Sequence, residues 1–364
     1  MSSKLSNTLA SLVVAVSCLG ATGAQAGPYS SAVLFGDSLS DTGNVLSLTL
    51  AFGATPFPNY VDAPGRFSNG PVWVEGLAAS IGVPSLAAPA NLLFNGTSVI
   101  NIGVPGGTNY AFGGARTGLG GSAGATTGLV GQLINWNGSV FGPTGPLTRA
   151  ADPDALYIIA AGGNDLRDAR SANPGATPAD AAARQAAAVA AAQNIVNVAA
   201  LLAQAGARHF LVSNVPDLGR TPEAVNNGVV FASTDVTLRF NAALDVALDG
   251  LDSLFLGLTG VDLDIRSLDF AGFADDVNAH PGDYGISNLT APCINPVAPG
   301  FYFVPGSNDA DGDCPSSAFS DDLHPSARVH QVFAREAAAV VPLPATWALA
   351  AVALLALGLR RRAA

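Results

Sequence analysis

Gly36-Asp37-Ser38-Leu39 sets a serine just beyond a short apolar run, Ser31 to Phe35, on a turn that Gly36 permits. A serine hydroxyl is a weak nucleophile until a neighbouring base takes its proton, so the chain needs a histidine that can reach it. It has four: His209, His280, His324 and His330. His209 opens a β-type run, His330 lies inside a helical pattern and His280 precedes Pro281 in a turn, so each has an ordinary packed or solvated reading. His324 stands in Ser320-Asp321-Asp322-Leu323-His324-Pro325, on a loop before a helix, with an acid three residues earlier. That spacing lets one carboxylate fold back onto the imidazole Nδ1 and leaves Nε2 to act as base. The alternative is an acidic turn that only caps the following helix.

The elements around these residues alternate. Short β-branched runs at Ser31–Phe35, Leu156–Ala161, His209–Ser213 and Val261–Leu268 are separated by longer helical patterns, the signature of βαβ units on a parallel sheet. Thr177-Pro178-Ala179-Asp180 is a helix start with proline in the first turn, and Gly206 is its stop. A second helix is expected over Thr234–Leu254, and Ser326 caps a third that runs to about Val340. Ligands of open α/β sheets sit beyond the carboxyl ends of the strands, where Ser38, Asn164 and Asn214 all fall.

Taken in order, the blocks resemble the GDSL, or SGNH, hydrolase family from Val33 to Pro325. They are Gly36 to Leu39, Asn109-Tyr110-Ala111-Phe112-Gly113-Gly114-Ala115, Gly162-Gly163-Asn164-Asp165 and Asp321 to Pro325. Gly65 to Trp73 and Asn214 to Gly219 look like the family's intervening signatures. The resemblance implies an α/β, flavodoxin-like three-layer sandwich with a central parallel sheet, and ester hydrolysis through an acyl-enzyme. Carried over residue by residue, it makes Ser38 the nucleophile, His324 the base and Asp321 the orienting acid, with Asp322 as rival. It also implies an oxyanion hole from the Ser38 and Gly114 backbone N–H groups and the Asn164 amide, Gly113 competing with Gly114. Asp37 reads as a carboxylate that ties the nucleophile turn. The Ser-Asp-Thr-Gly-Asn after the nucleophile leans toward lipase or esterase, and no metal or organic cofactor is implied.

Two patterns compete for attention. Gly120-Gly121-Ser122-Ala123-Gly124 spells a nucleophile elbow, but that elbow needs a strand before it and a helix after it, and this one lies in a Gly-rich stretch from Gly118 to Gly131. Asp309, Asp311 and Asp313 alternate like the start of a calcium loop without its later glutamate, and read as a solvated acidic turn.

The ends speak of export. Residues 1–26 carry Lys4, an apolar run and Ala24-Gln25-Ala26, a secretory leader with a cleavage site before Gly27. Residues 27–340 are the expected hydrolase domain. Residues 341–364 combine Val341-Pro342-Leu343-Pro344-Ala345, an apolar stretch from Trp347 to Leu359 and Arg360-Arg361-Arg362. The stretch falls short of the about 20 residues a spanning helix needs. The order resembles the PEP-CTERM sorting tails of Gram-negative bacteria; the alternative is a short, tilted membrane helix held by its arginines. Cell envelope, surface or extracellular matrix is the expected location, with export and sorting machinery as partners. Without Cys18 of the leader, Cys293 and Cys314 remain as an even pair and read as a disulfide. Net charge is −11, and Lys4 is the only lysine, which disfavours nucleic acid as an electrostatic partner. The expected substrate is a small-molecule, lipid or acylated-polysaccharide ester. The competing function is a surface or matrix binding protein on the same fold.

Overall fold

The computed structural model describes residues 29–58, 63–141, 146–293 and 314–341. The expected leader, the expected sorting tail beyond Val341 and Asp309, Asp311 and Asp313 lie outside the described residues. The strands are β1 Ala32–Gly36, β2 Leu92–Phe94, β3 Val99–Asn101, β4 Leu156–Ala160, β5 His209–Ser213, β6 Asp264–Leu268, β7 Asn288–Pro292 and β8 Ser317–Phe319. The helices are α1 Asn44–Ala51, α2 Trp73–Ile81, α3 Leu129–Asn137, α4 Gly163–Ala172, α5 Pro178–Ala205, α6 Pro222–Asn226, α7 Val230–Thr259, α8 Phe270–Ala279 and α9 Ala327–Val340.

β1, β4, β5 and β6 form a parallel sheet in that order, with Ala32 opposite Leu156, Leu156 opposite His209 and His209 opposite Asp264. Asn109 continues it in parallel beside Leu34, through Leu34 N–H to Thr108 O and Tyr110 N–H to Leu34 O. Parallel strands buried on both faces are apolar throughout, as β1 and β4 are. Their side chains still alternate by face. Phe35, Tyr157, Ile159 and Phe210 meet α3, α4, α5 and α7. Leu34, Ile158 and Leu211 meet α2, α8 and α9 on the other side. The result is the expected three-layer α/β sandwich.

The Thr177 hydroxyl accepts from Asp180 N–H and the Asp180 carboxylate accepts from Thr177 N–H, a reciprocal cap that fixes the start of α5. α5 then buries Ala188, Ala191, Ile195, Ala199 and Leu202, a spacing that keeps one face on the sheet. α7 is longer than the expected Thr234–Leu254 because nothing breaks it before Gly260, which takes the left-handed conformation at its end. β6 begins at Asp264 rather than Val261, beyond a chain entry at Leu263 that is already buried.

Candidate active site

The nucleophile turn is built before it is activated. Gln132 on α3 grips the last residue of β1 twice, its Oε1 accepting from Gly36 N–H at 2.8 Å and its Nε2 donating to Gly36 O at 2.7 Å. Asp37 N–H donates to Ala160 O, and its Oδ1 accepts from Leu39 N–H at 3.1 Å, which bends the chain around Ser38. Asn109 Nδ2 donates to Ser40 O at 2.7 Å and pins the turn from the edge of the sheet beside β1. Burial pushes the Asp37 carboxyl up to about 6 despite the Leu39 N–H.

Asp41, to which the sequence reading gave no role of its own, organises the next shell. Its Oδ1 accepts from Gly43 and Asn44 N–H at 2.8 and 2.7 Å, and its Oδ2 from Val45 and Gly113 N–H at 3.2 and 2.9 Å. Burial drives this carboxyl up to about 6 against those four donors. The signal was an acid just ahead of a helix start, which places a carboxylate on the free N–H groups of α1. Gly113 is thereby engaged, while the N–H groups of Gly114 and Ser38 have no acceptor among the described residues. Gly113 also admits no side chain, since a Cβ there would lie 2.1 Å from Phe67 Cζ, and Gly114 has φ +76°. The open donor therefore falls at Gly114.

The third polar group comes from the start of α4. Asn164 is buried beside Ser38; one Nδ2 proton goes to Ala115 O at 3.0 Å, and an amide carries a second.

The acid and base sit on the loop between β8 and α9. Asp321 is fully buried; its Oδ1 accepts from the Leu323 and His324 N–H groups at 2.8 and 2.6 Å. Its Oδ2 lies 2.7 Å from His324 Nδ1, and His324 Nε2 lies 2.9 Å from Ser38 Oγ. A carboxylate only accepts, so Nδ1 carries the ring proton and Nε2 is left to accept from the serine hydroxyl. Asp322 makes no hydrogen bond to His324; burial and the Asp321 and Glu223 charges raise its carboxyl, and its main-chain oxygen accepts from Glu223 N–H at 2.8 Å. Glu223 in turn takes the ion pairs of Arg167, at 2.5 Å, and of Arg170, so α4 and the His324 loop share one anchor.

The block around Phe67 straps that loop down. Ser68 Oγ donates to Pro325 O at 3.0 Å, Asn69 Oδ1 accepts from Ala327 N–H at 2.8 Å, and the Phe67 ring lies 5.3 Å from that of His324. Cys293 and Cys314 are bonded, with sulfurs 1.98 Å apart, and Cys293 N–H donates to Phe319 O, two residues before Asp321. The other histidines are engaged elsewhere: His209 with Asp264, His280 with Asp276, and His330 buried with Nδ1 accepting from Trp73 N–H. Ser122 follows no strand, yet its loop folds back so that Ser122 N–H donates to Gly114 O, and its side chain borders the cavity at Ser38. The elbow spelling is thus a wall of the site. Among the described residues no group of three or more His, Cys, Asp or Glu is placed to hold a metal ion.

A serine, a histidine and a buried carboxylate hydrogen-bonded in series at the carboxyl edge of a parallel sheet define an α/β fold carrying a serine-hydrolase constellation. The chain belongs to the GDSL-like Lipase/Acylhydrolase family, which matches residues 33–337. It is 30% identical over 359 residues to an uncharacterized protein from the trpE-trpG intergenic region of Pseudomonas putida, covering 93% of this chain and 52% of that one. It is 28% identical to the esterase EstA of Pseudomonas aeruginosa, covering 82% of this chain and 45% of EstA. The chain thus spans about half the length of these relatives. A solved member of the lipolytic G-D-S-L family from Veillonella parvula overlays with a TM-score of 0.39 and 14% identity, covering 85% of this chain and 97% of that one.

Proposed function

We propose that this chain is an exported serine esterase that hydrolyses carboxylic esters through an acyl-enzyme on Ser38. The observation that carries the reading is the unbroken path from Asp321 through His324 to Ser38 Oγ, with links of 2.7 and 2.9 Å, beside unengaged N–H groups at Ser38 and Gly114. Ser38 Oγ attacks the ester carbonyl while its proton passes to His324 Nε2. The carbonyl oxygen gains charge against the N–H groups of Ser38 and Gly114 and the free Asn164 amide proton. His324 then returns the proton to the leaving alkoxide, and a water, deprotonated by the same nitrogen, releases the acid and frees Ser38. No step calls on a metal or organic cofactor. Asp321 holds the tautomer that makes both transfers run in the needed direction.

Fluorophosphonate labelling of the full chain tests this. The label is expected on the Ser38 peptide, and Ser38→Ala is expected to abolish label and turnover together, by on the order of 10⁶ in rate if the three residues act as a unit. Label on the Ser122 peptide, or ester turnover that survives Ser38→Ala, would overturn the assignment. A binding protein on the same fold would give neither label nor turnover. Export and tail processing rest on the sequence ends; mass spectrometry of native material is expected to find a start at Gly27 and no Arg360 to Arg362.

A further inference from the structure

Asn164 and Arg167 stand three residues apart near the start of α4, which puts both side chains on one face, and both border the cavities that open at Ser38. The Arg167 guanidinium forks onto the Glu223 carboxylate, Nε donating to Oε2 at 3.1 Å and Nη2 to Oε1 at 2.5 Å. Its Nη1 lies 3.5 Å from Asn164 Oδ1. Glu223 is itself held from two other sides. Arg170, whose side chain is buried, grips the same carboxylate and donates to Ser233 Oγ at 2.9 Å, and the Glu223 N–H donates to Asp322 O. A planar guanidinium fixed along one edge by two bonds has its remaining nitrogen fixed as well.

We infer that Arg167 is a positioning residue for the proposed reaction, holding the Asn164 amide so that Nδ2 rather than Oδ1 meets the oxyanion. The inference rests on the ester-hydrolase reading above. An amide donates at one end and only accepts at the other, and turning it over would set Oδ1 against the charge created when Ser38 attacks. Two neighbours oppose that turn. Ala115 O can only accept and keeps Nδ2 at 3.0 Å, while the guanidinium can only donate and keeps Oδ1 on its own side. At 3.5 Å this second hold is longer than an ordinary hydrogen bond, so it works chiefly as a positive charge on the carbonyl end of the amide dipole. The same charge draws electron density toward Oδ1 and makes the Nδ2 protons better donors. Support of the fold does not depend on Arg167 in the same way, because Glu223 keeps Arg170 when Arg167 is removed.

The test is a double-mutant cycle in the full chain with p-nitrophenyl butyrate, read as KM and as kcat per site titrated with a fluorophosphonate at Ser38, beside a melting curve. Arg167→Met keeps the aliphatic reach and removes the cation. It is expected to lower kcat about tenfold, less than Asn164→Ala does because the Ala115 bond remains, and to leave KM within about twofold. In the Asn164→Ala background the same substitution is expected to change kcat by less than about threefold, since no amide is left to orient. Glu223→Gln, which keeps the shape and loosens the fork, is expected to give a smaller loss that disappears in the same background. An equal loss with and without Asn164 would overturn the inference, as would a rise in KM at constant kcat, the mark of a direct substrate contact. So would an unchanged kcat with only the melting point lowered. Each of these outcomes leaves hydrolysis at Ser38 standing. A wild type that takes no label and turns over no ester would overturn the hydrolase reading and this inference with it.

Discussion

Asn164→Ala separates stabilisation of the transition state from simple support of the fold. The site offers three donors to a developing oxyanion, the N–H groups of Ser38 and Gly114 and one proton of the Asn164 amide, because the other amide proton is held by Ala115 O at 3.0 Å. Removing the side chain leaves the two backbone donors and deletes one that acts in a site screened from water. The expected loss is about 10² to 10³ in kcat, or roughly 2.7 to 4 kcal/mol, with a much smaller change in KM. The bond to Ala115 O disappears as well, and its contribution to stability is about 1 kcal/mol. That shift is too small to unfold the enzyme, and it is read separately. The assay is therefore kcat per site titrated with a fluorophosphonate at Ser38, measured beside a melting curve. Asn164→Asp is expected to be at least as damaging, because an ionised carboxylate supplies no donor and repels the oxyanion. An unchanged kcat per titrated site, with only the melting point lowered, would refute the role.

Three further outcomes follow from the same geometry. Asp321→Asn presents an amide donor to His324 Nδ1, forces the proton onto Nε2 and is expected to cost about 10⁴ in kcat with the fold intact, whereas Asp322→Asn is expected to change little; equal effects would mean the two acids had been confused. Burial lowers the His330 pKa from 6.5 to about 3, so below pH 6.5 the unfolded chain takes up a proton that the fold refuses, and stability present above that pH is lost as pH falls. Denaturant titrations at pH 7.5 and 5 are expected to show the wild type losing about 2 kcal/mol relative to His330→Gln over that range; parallel losses would refute the burial argument. Replacing Cys293 and Cys314 together by serine is expected to cost about 3 kcal/mol of stability for a bridge spanning 21 residues, and non-reducing peptide maps of the native protein should join the two.

The nucleophile turn and the Asp321 to His324 loop were legible because each is local: a glycine after an apolar run, and an acid three residues before a histidine. Strands β1, β4 and β5 were legible for the same reason, as short β-branched runs ending in glycine or asparagine. What could not be read was set by contacts between distant parts of the chain. Gln132 clamps Gly36 from 96 residues away, and Asp41 takes the N–H of Gly113 across 72. That second contact occupies the Gly113 N–H and leaves the Gly114 N–H without an acceptor among the described residues, a difference that a run of glycines does not show. The β2–β3 hairpin and β8 went unread because three-residue strands carry no period, and β7, Asn-Leu-Thr-Ala-Pro, because it has no apolar alternation. Ser122 shows the converse: its surroundings rule it out as a nucleophile, and only the folded loop reveals that it stands at the cavity.

His324 meets Ser38 across 286 residues of chain, and the strand that presents the serine pairs beside Asn109 on one edge and with β4, from Leu156, on the other. A ribosome that has made the serine, the first strand and most of both helical layers has made no base. The hydroxyl stays inert until the final loop and α9 settle against Ser68 and Asn69, among the last long-range closures the chain can make. On the esterase reading proposed above, turnover is therefore expected to report that folding has finished, and a chain that still lacks this loop is expected to attack no ester while it is being synthesised.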